Sequence, residues 1–391
     1  MSQPVSYNLR LEEVPALLDL CYEMRLKGYE RCTPHLIGPP GIGKSTIVQE
    51  WSQRKAEELG LEWHDYDELS PQDVDRILQE PDKHFIFADK RLTNMDPTDF
   101  GIPRDVTING KKFIRYLPMD LAILLHYCAG VLFLDEFSNE GRPNMIANSY
   151  RLCRDYKMGD VSFSKNVLVI AASNSPETSE IVNRIPVPLR DRFMFIEVEP
   201  PSIEAWAEWM DKTYGPDSWD RAVLAYLKWK PSDFLANYTE TSADTGWVPP
   251  ATPRGWSYTA LAFKMLKTDG NLRRMIAKGK LGSVGEMFCS FLENKVPEFD
   301  ELVKHPEVIR GFNIEQKYLV ALTIAEAIRR DEKNAKKAYP VMKYIAKIDD
   351  REMINVTFFL LPREGRTALF RAVNGDPEIR DVMAATGRAL I

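Results

Sequence analysis

Apolar positions follow two regimes along the chain. Up to about residue 200, short unbroken apolar runs alternate with stretches of helical spacing: Pro34-His35-Leu36-Ile37, then HFIFA from His84, VLFL from Val131, VLVIAA from Val167 and FMFIEV from Phe193. Runs of this length suit strands covered on both faces, and their alternation with helices predicts a parallel sheet in an α/β arrangement. Residues 11–29 (LEEVPALLDLCYEMRLKGY) space their leucines as a helix does, with an interruption expected at Pro15. TIVQEWSQRKAEELG predicts a helix that closes at Gly60.

Beyond about residue 201 strand-like runs become scarce. Tryptophan-rich amphipathic stretches (IEAWAEWMDKTYG, WDRAVLAYLKWK) predict helices, 231–253 reads as a proline-bearing loop, and helical periodicity resumes at Trp256. The expected organisation is an α/β core over 1–200, a helical domain over 201–300 and a helical C-terminal extension over 301–391.

Composition changes this picture little. The 391 residues are 44% hydrophobic and 28% charged, as in an ordinary globular protein with room for more than one domain. A net charge of −6 supplies no global pull towards nucleic acid or membrane. Cys21, Cys32, Cys128, Cys153 and Cys289 form no CxxC pair, so reduced thiols are expected rather than a disulfide framework or a zinc site. No apolar run is long enough to span a bilayer, and MSQPVSYNLRLEEV lacks the order of a secretory signal. A cytoplasmic protein without membrane attachment is the expectation.

Candidate chemistry sits at the ends of the predicted strands. GPPGIGKST, which is Gly38, Pro39, Pro40, Gly41, Ile42, Gly43, Lys44, Ser45 and Thr46, fits G-x-x-x-x-G-K-[ST] between an apolar strand and a helix. Its glycines let backbone N–H groups surround phosphate oxygens at the positive end of a helix; Lys44 would reach the phosphates and Ser45 a Mg2+ ion. VLFL ends in Asp135, suited to the magnesium shell, and Glu136, suited to orienting an attacking water. VLVIAAS leads into Asn174, whose amide can position that water or touch the terminal phosphate. Arg190 and Arg192 in LRDRF, and Arg254 in TPR, are candidates either to face a transferred phosphate and stabilise its charge or to form surface salt bridges.

These residues in this order resemble the AAA+ ATPases, and within them the MoxR-like, dynein-related branch, over roughly residues 10–300. GPPGIGKST is similar to that family's Walker A, LFLDE to its Walker B, Asn174 to sensor 1, Arg192 to the arginine finger and Arg254 to sensor 2, with Arg190 an open alternative for the finger. RLTNMDPTDFGIP, continued by KKFIRYLPM, resembles the branch's helix-2 insert (about 93–118), and DYKMGDVSFSKN its pre-sensor-1 hairpin (about 156–166). The stretch 64–83 is longer than the family's usual link to the second strand. Asp160-Val161-Ser162-Phe163-Ser164 fits the metal-binding D-x-S-x-S of von Willebrand factor A domains, but no buried strand precedes it.

The resemblance implies a P-loop NTPase sheet with helices on both faces, an all-helical lid and a helical extension. ATP and Mg2+ are the implied cofactors, and a homo-oligomeric ring, with a hexamer as the leading stoichiometry, is the implied assembly. The implied activity is ATP hydrolysis coupled to remodelling a protein client, a von Willebrand factor A protein among the candidates. A nucleic-acid motor and a nucleotide-gated scaffold with little turnover are the alternatives. Phe100, Phe113, Tyr116, Tyr156 and Phe163 are expected on the two inserts, where aromatic rings could grip a protein or stack on unpaired bases.

Overall fold

The computed structural model describes residues 8–29, 33–175, 192–236, 248–266, 270–377 and 379–380. It forms two compact units, Met1–Ser202 and Ile203–Ile391. Cys32 and Arg190 lie outside the described residues.

In the first unit the strands are β1 (Leu9–Arg10), β2 (Thr33–Ile37), β3 (Glu62–Asp65), β4 (His84–Arg91), β5 (Ile102–Ile108), β6 (Lys111–Leu117), β7 (Ala129–Asp135), β8 (Lys157–Met158), β9 (Val161–Ser162), β10 (Val167–Ser173) and β11 (Phe193–Glu199). Seven of them make one sheet in the order β1-β11-β2-β10-β7-β4-β3, every pairing parallel. All five apolar runs of the sequence are strands of this sheet. The two additional members, β1 and β3, are edge strands too short and too polar to stand out as apolar runs. Helices α1 (Val14–Leu26), α2 (Lys44–Leu59), α3 (Pro71–Gln79), α4 (Asp120–Tyr127) and α5 (Pro143–Tyr150) belong to the same unit. Its fold is a parallel α/β core of the P-loop type, with the strand arrangement expected of an AAA+ core, and the helical unit follows it.

Burial explains why the central strands read as continuous apolar runs. Every residue of β10 is buried, and so is every residue of β7 except Asp135 at its tip. Pro15 does not interrupt α1, as the sequence suggested; it lies in the first turn, where a missing N–H costs nothing. Residues 64–83 are long because they contain the end of β3, a 3-10 turn and α3, capped by a reciprocal Ser70–Asp73 pair.

Two antiparallel hairpins leave the sheet where the sequence placed inserts. β5 pairs with β6 from Ile102↔Leu117 to Ile108↔Lys111, and β8 pairs with β9. Every position of β6 and all but Val106 of β5 are exposed.

The second unit is helical in its described residues. A single hydrophobic cluster runs from Ile203 to Ile379, built on Trp206, Trp219, Trp256 and Phe288. The helix Pro253–Met265 begins within the expected loop 231–253, because Thr252 caps it by accepting from the Gly255 N–H. Among the described residues no helix is long and apolar enough to cross a membrane.

One residue tests this sheet directly. A Cβ built on Gly130 of β7 would lie 2.3 Å from the Ile86 carbonyl oxygen of β4, which is backbone and cannot yield. Gly130→Ala is therefore expected to destabilise the first unit by about 2–3 kcal/mol, as overpacked core sites do. Urea denaturation of the two proteins checks this, and an unchanged midpoint would contradict the strand spacing.

Candidate functional site

Three strands end at one level and bring the predicted residues together. Ser173 of β10 pairs with Ile37 of β2, and Ala171 of β10 with Leu134 of β7, so the segments after Ile37, Ser173 and Leu134 emerge along one edge of the sheet. The first of these is the glycine turn. Gly38 is glycine because a Cβ would lie 2.4 Å from the Val198 carbonyl oxygen. Gly41 and Gly43 hold φ of +75° and +108°, the left-handed region that side chains disfavour. With this curvature the turn runs directly into α2, whose first N–H groups have no partner within the helix and face the loop. Ile42 is buried, Pro39 and Pro40 are half-buried, and Thr46 is exposed on the first helical turn.

Lys44 is buried beneath this turn. Its ammonium donates to the carbonyls of Gly38 (2.7 Å) and Pro39 (2.9 Å) and to Asn174 Oδ1 (3.4 Å). The Ser45 hydroxyl donates to Asp135 Oδ2 at 3.0 Å. Hydroxyl and carboxylate oxygens in this relation are the hard donor set that Mg2+ takes.

Glu136 follows with φ 51° and ψ 34°, a left-handed conformation rare outside glycine and costing of order 1–3 kcal/mol. Its two carboxylate oxygens are engaged separately: Oε1 lies 3.8 Å from Arg91, and Oε2 accepts from Asn139 Nδ2 at 3.4 Å. Sequence reading missed both partners, since Arg91 is near only through its register opposite Asp135. Asp89, two residues earlier on β4, was missed as well. Burial, with Asp135 adding repulsion, pushes its carboxyl up to about 6.

His35 was read only as a member of an apolar run. It is fully buried, its Nε2 lies 2.7 Å from Ser173 Oγ, and the same oxygen accepts the Ser138 N–H at 3.1 Å. Phe137, Phe193 and Phe195 surround the ring at centroid distances of 4.9–5.5 Å. One imidazole thus ties together the strand before the glycine turn, the strand before Asn174 and the turn after Glu136.

Arg192 stands apart from this group. It precedes β11, and its carbonyl accepts from the N–H of Thr33 at the start of β2. That is the opposite edge of the sheet from the glycine turn, a strand length of about 16 Å away. Arg254 is exposed in the first turn of its helix in the second unit.

The two inserts divide their aromatics. Phe113 and Tyr116 are exposed on β6, as expected. Phe100, Tyr156 and Phe163 are not on projecting surfaces but buried, a correction with a packing cause. The three rings join the apolar cluster beneath the inserts, and Gly159 in the β8–β9 turn sits so close to the Phe100 carbonyl that a Cβ would lie 2.0 Å from it. Asp160 is exposed on the same turn beside Arg151 at 3.5 Å, in no buried strand. Arg142 fastens the entry to the larger insert, donating to the Leu92 (2.7 Å) and Met95 (2.9 Å) carbonyls.

Fold and site geometry together define the fold class, a P-loop type parallel α/β core with a helical unit after it. No protein-family model and no curated protein matches the chain. Among solved structures, a point mutant of RuvB from Thermotoga maritima is similar at 17% identity over 78% of this chain and 79% of that one, with TM-score 0.34. ORC2 of Aeropyrum pernix, in ADPNP–ADP complexes, is similar at 14% identity over 98% of each chain, with TM-score 0.39. Scores this low lend no weight to either name, and the class rests on strand order and site geometry.

His35 generates a pH prediction. Burial lowers its imidazole from 6.5 to about 3, so the unfolded chain takes up a proton that the folded chain refuses. Its contribution is complete above pH 6.5 and is lost as pH falls towards 3, by up to about 1.4 kcal/mol per pH unit. His35→Gln should be less stable than wild type at pH 8, with the gap narrowing as pH is lowered from 7 to 4. Denaturant titrations across that range decide it, and parallel pH profiles would exclude His35 as the source.

Proposed function

We propose that this chain is a Mg2+-dependent ATP hydrolase that assembles into a homo-oligomeric ring and couples hydrolysis to remodelling a protein client. The observation that carries the reading is the Ser45–Asp135 hydrogen bond at 3.0 Å beside a buried Lys44. A buried ammonium under a glycine turn, with a hydroxyl and a carboxylate in contact beside it, is the arrangement that holding nucleotide phosphates requires.

In this reading Lys44 exchanges carbonyl partners for phosphate oxygens, and the turn from Gly38 to Thr46 lends its N–H groups to them. Ser45 and Asp135 would hold Mg2+, which offsets phosphate charge when bound. Glu136 accepts a hydrogen bond from the attacking water, and Asn174 fixes its position. Arg192 lies at the far edge of its own sheet, so as an arginine finger it serves a neighbouring subunit, which is the physical reason for a ring; Arg190 is the other candidate. Arg254 is assigned as sensor 2, in a lid over 201–300 with 301–391 as a separate extension. A MoxR-like placement, a hexamer, a cytoplasmic setting and a von Willebrand factor A partner belong to the same proposal.

The β5–β6 hairpin is the proposed client-contacting element. An isolated two-stranded ribbon is marginal in water, so an element exposed on both faces gains stability from a partner. The hairpin also favours the second reading, a nucleic-acid motor. It carries Arg104, Lys111, Lys112 and Arg115 against Asp105 alone, together with exposed Phe113 and Tyr116.

Two experiments follow. Glu136→Gln should retain ATP binding and lose about 10²-fold or more in turnover, because an amide cannot accept the water's proton; Lys44→Ala should lose nucleotide binding itself. Near-normal turnover by Glu136→Gln would remove that residue from the mechanism. Turnover with added single-stranded DNA or RNA separates the two readings. A protein client predicts no stimulation. Strong stimulation that falls steeply with salt and disappears in the Phe113→Ala/Tyr116→Ala double variant would establish the motor instead.

A further inference from the structure

A second cluster of chemistry-bearing side chains lies away from the nucleotide site, at the opposite end of strand β4. Glu62 and His64 are alternate residues of β3 and point to one face; His84, the first residue of β4, pairs with Glu62 in register and meets them there. His64 Nε2 lies 3.0 Å from His84 Nδ1, His84 Nδ1 lies 3.3 Å from Glu62 Oε2, and His64 Nε2 lies 3.7 Å from that same oxygen. Three potential ligand atoms therefore form one closed triangle with sides of 3.0, 3.3 and 3.7 Å.

We infer that Glu62, His64 and His84 form a zinc site that staples the edge strand β3 to β4. Zinc bound tetrahedrally at about 2.0–2.1 Å separates any two of its nitrogen or oxygen ligands by about 3.3–3.4 Å, and the three distances bracket that value. Two imidazoles with one carboxylate are a ligand set that zinc favours, whereas Mg2+ and Ca2+ prefer oxygens throughout. The histidines are nearly buried while the Glu62 side chain is 54% exposed, so a water fills the fourth position from the solvent side. Around the ligands the supports are in place. Arg76 stands 3.8 Å from the other oxygen of Glu62, leaving Oε2 to the imidazoles. Between the ligand residues Trp63 points the opposite way, stacks on Phe87 with centroids 6.0 Å apart and donates to Ser52 Oγ at 2.9 Å, which fixes the face on which Glu62 and His64 meet His84.

The role is structural. β3 is a four-residue edge strand with no fully buried residue, paired to the sheet on one side only. The metal closes the loop that begins at Glu62 and returns at His84, carrying α3 between them. Because it sits at the beginning of β4, it is remote from Asp135 and Ser45, which meet at the ends of β7 and the glycine turn.

Cobalt(II) is the probe, added to untagged, chelator-stripped protein in excess Mg2+ so that the oxygen site is taken. Wild type should bind one Co2+ per chain with the intense visible bands of a four-coordinate ion, and Zn2+ should displace it and raise the melting temperature. Glu62→Gln, an exposed and fold-neutral change, should weaken binding by about tenfold or more, and His64→Gln/His84→Gln should abolish both the bands and the melting shift. Folded wild type that binds no stoichiometric Co2+, or Glu62→Gln that binds it as wild type does, would overturn the site.

Discussion

The level at which three parallel strands end is the constraint on which the site depends. β2, β10 and β7 are adjacent, and their register sets the glycine turn, Asn174 and Asp135 along one edge. A slip of one residue at the β10–β7 pairing would turn every side chain on that strand to the other face and separate Asp135 from Ser45. His35 and Ser173 reinforce this register from inside the sheet, because the hydrogen bond between them spans the β2–β10 pair and Ser173 also takes the backbone N–H of Ser138. A polar pair there would be a liability in a sheet with no need of fixed alignment. Bonded as it is, the pair resists a shift between the phosphate loop and the acidic strand end.

What could be read in the sequence was what strands buried on both faces make visible. VLFL and VLVIAA have no polar residue to show which way they face, yet their continuity and their acidic or amide ends sufficed to place Asp135, Glu136 and Asn174. β1 and β3 escaped because an edge strand needs no apolar run, being covered on one side at most. The partners of Glu136 escaped for a different reason. Arg91 and Asn139 are ordinary surface types in sequence, and only strand register and the tight turn after Asp135 bring them to the carboxylate. Phe100, Tyr156 and Phe163 were misread because composition alone cannot separate an aromatic that projects from one that roots the insert carrying it.

That last distinction gives the inserts their design. Buried rings and the Arg142 clamp hold the bases of the two hairpins, and the close contact of Gly159 with the Phe100 carbonyl locks one base against the other. Above the rooted base, β5 and β6 project a ribbon whose exposed residues are mainly basic, aromatic or aliphatic, with Asp105 and Thr107 among them. Asp89 and Arg91, at the end of β4, line a cavity of about 410 Å³ together with Asn94, Met95 and Asp99 from the chain leading into that ribbon. Arg91 reaches Glu136 and Asp89 feels the charge of Asp135, so the same short segment borders the acidic strand end and the root of the hairpin. A rearrangement of charge at Asp135 and Glu136 would therefore act on the segment from which the hairpin grows.

The two edges of the sheet therefore have different tasks. Along one, where strands end, lie groups that cost free energy: Glu136 in a left-handed conformation and the buried Lys44 ammonium. Along the other, where strands begin, lie Arg192 at β11 and the Glu62–His64–His84 triangle at β3 and β4. Strain of this kind persists only in a frame that over-determines it. The frame here is the run of buried parallel pairings from β11 to β4, closed at one end by a strand as short as β3. Holding that last strand in place lets β4, and through it Arg91 and Asp89, keep their register opposite β7. An edge remote from the glycine turn thereby bears on the alignment of the strand ends beside it.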